Sequence, residues 1–320
     1  GGAEGGMIRA SLKGLKGSPT EQANVRSLLL MFALVPEDTH CPLEVLLLMY
    51  KAVHEGSTAT IMHIRKYLRI LINRSLVLGT IDRPSVHDLV LDFAVAQHTD
   101  QGLQLKHRQV VEAFRAARPA DAHGRCMYDS TQMDDPVSVY VGNEIRYHVE
   151  HSLVRESSED NPAVLEWLTD MPQDAIVIAT GQELGVEHLT QLADAAESAG
   201  DWWLAARYWS VVREVIYQQS GNGAASEAAS KALHATAQMS HTDHPQLRDD
   251  LRFEQAVTII TAFDVPTLNR RLKELDAILK TEAALREPAR TTNSRLFLAF
   301  TIPAHGDWTF EQIGDSYFES

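Results

Sequence analysis

The chain has 320 residues, 44% of them hydrophobic and 22% charged, and carries a formal net charge of −14. This length allows two or three domains around a sizeable core, and the acidic balance argues against a large nucleic-acid footprint, which needs clustered Lys and Arg. The longest apolar runs, 28–35 and 45–50, are too short to cross a bilayer, and no basic segment precedes an apolar one at the N-terminus to make a secretory signal.

Only Cys41 and Cys126 occur. They form no CxxC pair, which fits a reducing, cytoplasmic setting. The opening GGAEGGM reads as a linker remnant, and GDSYFES at the other end stops within a helical pattern. The chain is therefore expected to be a fragment.

Residues 21–34, EQANVRSLLLMFAL, have helix-forming composition and stop at Val-Pro-Glu-Asp. Pro42 opens a second helix, PLEVLLLMYKAV, at a position where proline is tolerated. A third is expected from about Thr60 to Arg74, with Ile61, Ile64, Leu68, Leu71 and Ile72 on one face. Two short strands, SLVLGT and PSVH, follow around a turn at Asp82-Arg83. Three helices and a small hairpin outline a winged helix. HRQVVEAFRAAR continues as an amphipathic helix to Pro119, 120–136 is aperiodic and reads as a loop, and short helices alternate with turns from Asn161 onward.

Leu192-Ala193 stand ahead of Gly200-Asp201-Trp202, and Leu298-Ala299 stand at the same spacing ahead of Gly306-Asp307-Trp308. The two copies lie close to three periods of about 34 residues apart, the tetratricopeptide period. Ala205 and Trp209 occupy positions where that repeat takes a small residue and then an aromatic; the second copy has Glu311 and Asp315 there. Trp202 and Trp209 are expected to be largely buried, since a helix pair of this kind buries its apolar face only by stacking.

The chain carries no GxxxxGK[ST] loop. GLKGSPT, at 14–20, has the wrong spacing and no Gly-Lys-Ser, so the segment is not expected to hydrolyse nucleotide by itself. His148 and His151 in YHVEH lie three apart on a helix without visible further ligands, and HTDH at 241–244 reads as a polar loop; no metal site is assigned. The third helix carries His63, Arg65, Lys66, Arg69 and Arg74 with no acid between them. A helix of this kind can enter a major groove, but the acidic chain favours a solvated face or a docking face for an acidic partner. Scattered Ser, His, Asp and Cys residues define no catalytic constellation.

His87 and Asp88 fall where the second strand hands over to a helix. Asp88 is expected to cap that helix, beginning near Leu89, by accepting from unpaired backbone N–H groups. His87 sits at its mouth, where a ring N–H can donate to a phosphate or simply face solvent.

The run IRASLKGLKGSPTEQANVRSLLLMFALVPEDTHCPLEVLLLMYKAV, followed by IRKYLRILINRSLVLGTIDRPSVHDLVLDFA, resembles the winged-helix domain of NB-ARC signalling ATPases of the STAND class, which include apoptosome proteins and NLR receptors. The matching points are Ser11 and Leu15, Pro36-Glu37-Asp38, Pro42 and Val45, Leu76-Val77, and Val86-His87-Asp88 at the family's Met-His-Asp motif, with Val for Met. YVGNEIRYHVEHSL resembles the passage into the family's helical repeats, and the likeness covers about residues 7–155.

The resemblance implies a switch. His87 would contact the β-phosphate of ADP held by a nucleotide-binding domain absent from this stretch, Asp88 would support it, and exchange to ATP would release the latch for oligomerisation. It implies a mainly α protein: 1–6 a linker remnant, 7–98 a winged-helix domain, 99–160 a helical connector with the loop 120–136, and 161–320 tetratricopeptide-like repeats. The segment itself is expected to be no enzyme and to hold no cofactor, ADP or ATP belonging to the parent protein. Its expected partners are that nucleotide-binding domain and a protein or peptide on the repeats, not a membrane or nucleic acid. The other readings are a repeat scaffold without nucleotide switching and a winged-helix transcription regulator.

Overall fold

A computed structural model describes residues 3–120, 126–128, 135–153 and 162–239. The chain is mainly helical and divides into two compact units, Gly1–Glu183 and Leu184–Ser320. Among the described residues no helix is long and apolar enough to cross a membrane.

In the first unit α1 spans Ala3–Lys13, so the helix begins inside the stretch read as a linker remnant. Ile8 and Leu12 bury one side of it, and the cost of Gly5 and Gly6, about 1 kcal/mol each relative to alanine, does not stop it. Helix α2, Pro19–Met31, is capped by Ser18, whose hydroxyl accepts from Glu21 N–H at 3.2 Å, and has proline in its first turn. Its apolar run ends in a 3₁₀ turn, Phe32–Leu34, rather than as one helix to Leu34. Asp38 then adopts φ 58° in the turn closed by Thr39 N–H on the Pro36 carbonyl, a left-handed conformation that Asp tolerates better than most residues.

Helices α3, Leu43–Val53, and α4, Ile61–Ile72, follow. Ile64, Leu68 and Leu71 are fully buried against Leu46 and Met49 of α3 and Leu28 and Leu29 of α2. The end of α4 closes through Ser75 at φ 53° and a bond from Leu76 N–H to the Leu71 carbonyl, which satisfies an end carbonyl and buries Leu76.

Strands β1, Leu78–Gly79, and β2, Pro84–Ser85, pair antiparallel, Leu78 opposite Ser85 and Gly79 opposite Pro84. They are shorter than their sequence reading. Gly79 has φ +76°, and a Cβ there would lie 2.4 Å from the Arg83 carbonyl oxygen, so the turn requires glycine. Cys41 N–H donates to the Pro84 carbonyl at 3.2 Å and ties the hairpin to the start of α3.

Helix α5, Asp88–Val95, buries Val90 and Ala94 and packs on α1, α2 and the 3₁₀ turn. Thr99 caps α6, Asp100–Ala116, and Asp135 caps α7, Pro136–Ser152. These two helices pack side by side, α6 also lying on α3, with Val110, Val111, Phe114, Val141 and Val149 in the seam. Helices α8, Pro162–Trp167, and α9, Ala175–Leu184, complete the unit. Of the segment read as a loop, Ala120 bridges to Cys126 and Tyr128 is buried; 121–125 and 129–134 lie outside the described residues.

In the second unit α10, Val186–Ala199, ends at Gly200 (φ 74°), and Asp201 caps α11, Trp202–Gln238. Helix α11 breaks at Gly221, φ 78°. Lys231 lies over the Trp209 ring at 4.1 Å and His234 meets Trp202 edge-on at 6.2 Å, so the part after Gly221 runs back antiparallel to the part before it. Ala205 is fully buried and Trp209 is 2% exposed; its indole N–H donates to Glu197 of α10 at 2.7 Å. Trp202 is only half-buried. The second motif copy, 298–315, lies outside the described residues.

Candidate functional site

The hairpin and α5 together position the sequence-predicted pair. Val86 packs against the core, Val90 and Ala94 anchor α5 one and two turns on, and His87 and Asp88 between them are exposed. The capping assignment is corrected by the geometry. His87, at φ −76° and ψ 146°, is the N-cap, and its Nδ1 accepts from Leu89 N–H at 3.3 Å. Asp88 is already the first helical residue. The helix starts one residue earlier than the sequence implied, with the His87 carbonyl accepting from Val90 N–H at 2.7 Å and Leu91 N–H at 3.0 Å.

This geometry sets the tautomer. An Nδ1 that accepts carries no proton, so the neutral imidazole holds its proton on Nε2, on the ring edge away from the cap. Asp88 meanwhile places a carboxylate in the first turn, where it already compensates the helix dipole and repels a second anion. The end of α5 can therefore reach a phosphate oxygen through one imidazole N–H, but is not by itself an anion cradle.

The basic residues of α4 and Arg74 just after it are largely engaged within the chain. His63 Nδ1 accepts from Thr60 N–H at 3.2 Å as part of the helix cap. Arg65 pairs with Asp82 at 3.2 Å, Lys66 with Glu21 at 2.8 Å, and Arg74 donates to the Ser11 carbonyl at 2.8 Å and to that of Gly14.

His148 and His151 do not converge. His148 is fully buried, its Nδ1 3.1 Å from His107 Nδ1 and its Nε2 3.2 Å from the Tyr140 hydroxyl. His151 is exposed and its Nδ1–H donates to the Tyr147 carbonyl at 2.8 Å. Burial, then the neighbouring imidazoles, holds His107 down at about 2 and His148 at about 3, so both are neutral. Among the described residues no group of three or more His, Cys, Asp or Glu is arranged to hold a metal ion; 241–244 lie outside them.

Two further polar clusters escaped the sequence reading. Arg118 holds Asp174 at 2.9 Å and Asp170 at 2.9 Å, and Asp170 also takes Arg115 at 2.6 Å. Asp174 additionally accepts from Tyr128 N–H at 3.0 Å and Ile176 N–H at 2.8 Å. The other cluster joins His98 to Lys106 at 3.0 Å. Neither has a local signature, because the partners come from different elements. The chain matches no protein-family model, no curated protein and no solved structure.

Proposed function

We propose that this chain is the regulatory and ligand-sensing portion of a STAND-class, NB-ARC-type signalling ATPase. In this reading residues 7–98 are a winged helix, and His87 latches the ADP-bound, inactive state against a nucleotide-binding domain of the same protein. The observation that carries the reading is His87 itself. It follows the hairpin directly, caps α5 through Nδ1, and thereby keeps an Nε2–H donor at an exposed position. A charge-assisted bond from that donor to a β-phosphate is worth about 1.5–3 kcal/mol, enough to shift a two-state equilibrium more than tenfold. Asp88 supports the residue by stabilising the first turn of α5. ADP supplies the phosphate; this segment supplies one donor, and the remaining contacts belong to the nucleotide-binding domain.

The sensor half of the proposal rests on the second unit. The α10–α11 pair buries Ala205 and Trp209 at the positions a tetratricopeptide unit uses for helix packing, and α11 turns back at Gly221. A repeat scaffold without nucleotide switching uses these same features and differs only in making His87 idle. The intrachain partners of Arg65, Lys66 and Arg74 count against the transcription-regulator reading.

The test is ADP retained through purification of the full-length gene product, wild type against His87→Ala. Loss of ADP and raised basal signalling in the variant are expected. Equal retention and equal basal activity would return His87 to a plain helix cap and leave the scaffold reading.

A further inference from the structure

Lys106 lies on α6 with its side chain half-buried. Among the described residues no carboxylate lies within ion-pairing distance of it. Its Nζ is instead 3.0 Å from His98 Nδ1, and His98 Nε2 is 3.3 Å from the Leu30 carbonyl. The carbonyl can only accept, so Nε2 bears the proton and Nδ1 is a free base directed at the lysine. A lysine, an imidazole base and a third group orienting that base form a nucleophile arrangement by geometry alone.

The electrostatics agree. Burial lowers the ammonium of Lys106 with no acid to restore it. Burial first and the Lys106 charge second lower both His98 and His54. The basic groups around this amine are thus His98 and His54, and burial disfavours the charged form of all three. Lysines in desolvated surroundings of this type are the ones that react at neutral pH.

We propose that Lys106 is a nucleophilic lysine and a site of acylation by small acyl phosphates, with His98 as its proton acceptor. The ammonium first gives up one proton to solvent. The free amine then attacks the acyl carbon, forming the C–N bond, while the acyl C–O bond breaks and its electron pair leaves with phosphate. The second nitrogen proton passes to His98 Nδ1 and on to the departing phosphate. Ammonium and acyl phosphate thereby become amide, hydrogen phosphate and one proton. The imidazolium formed in passing attracts the anionic leaving group, which is why an acyl phosphate suits the site. The product amide removes the positive charge that, after burial, holds His54 and His98 down, so modification makes both easier to protonate.

The test treats the whole chain with limiting acetyl phosphate at pH 7.5 and follows occupancy of each lysine by peptide mass spectrometry. Exposed Lys51 and ion-paired Lys66 serve as internal references. Lys106 is expected to acetylate about five-fold faster than Lys51, because its amine lies 3.0 Å from an imidazole base that can take the proton as the C–N bond forms, with Lys66 slowest. His98→Gln, which keeps an acceptor for the lysine but cannot carry its proton, should abolish the preference. Lys106 reacting no faster than Lys51, or a folded His98→Gln variant that keeps the preference, overturns the assignment. If that variant does not fold, the wild-type ratio decides alone.

Discussion

His107 and His148 face each other across the seam between α6 and α7, Nδ1 to Nδ1 at 3.1 Å, both buried. One nitrogen of this contact must donate and the other accept, so the two rings cannot both be protonated, and burial keeps both neutral. Phe114, Tyr140, Tyr147 and His151 pack around them, and among these groups there is no anion to compensate a proton.

Stability should consequently depend on pH with a definite sign. Both folded-state values lie far below the ordinary histidine value near 6.5. Below that pH the unfolded chain takes up protons that the folded chain refuses. The contribution is complete above about pH 6.5 and is lost as pH falls, by up to about 1.4 kcal/mol per pH unit for each histidine. Urea midpoints at pH 7.5, 6.0 and 5.0 check this. A flat profile, or one unaltered by His148→Gln, contradicts it.

His87 should separate stability from latching. Serine is a better N-cap than most residues, so His87→Ser should leave α5 as stable or improve it by about 0.5 kcal/mol. On the proposed latch, the same change removes the Nε2 donor and should lower ADP retention by the full-length gene product. A variant both less stable and unchanged in ADP content would mean that the imidazole serves packing.

Trp209→Ala should cost about 3–5 kcal/mol in the second unit, as truncation of a buried aromatic does. It removes the indole bond to Glu197 and the ring beneath Lys231 along with the packing. Thermal melting followed by far-UV circular dichroism measures the loss. A change below about 1 kcal/mol would place Trp209 outside the core.

Arg118→Met should be destabilising by about 3–5 kcal/mol, because it leaves Asp174 buried without its cation. Burial already pushes Asp174 up, against the pull of Arg118 and of two backbone N–H groups. The double change Arg118→Met with Asp174→Asn should recover much of the loss. Asparagine brings no charge and its one oxygen still accepts from Ile176 N–H, while its amide nitrogen cannot accept from Tyr128 N–H, so the recovery is expected to be incomplete. Additive losses in that cycle would show that the two residues do not act as a pair.

The 320-residue chain should bind ADP more weakly than micromolar, about −8 kcal/mol, since on the proposed reading it offers one donor and its sequence has no phosphate-cradling loop. Titration calorimetry decides. It should likewise bind no duplex DNA at physiological salt, and a steep salt slope removed by charge reversal at Arg65 and Arg69 would argue otherwise.

Sequence by itself determined what is local. Ile64, Leu68 and Leu71 at helical spacing, Pro42 ahead of an apolar run, and Asp82-Arg83 between two short β-forming stretches are local signals, and α3, α4 and the hairpin lie where the pattern put them. The Val-His-Asp position at the start of α5 was equally legible. Which of the two polar residues caps was not, since either can accept; the extended backbone of His87, whose carbonyl takes Val90 and Leu91 N–H, gives it the cap. Tertiary structure alone decided the polar pairs. His107 and His148 are 41 residues apart and Arg118 and Asp174 are 56 apart, and no periodicity encodes which buried side chains of two packed elements will meet. Only packing brings such groups within hydrogen-bonding distance and withdraws the water that would otherwise make their pairing optional.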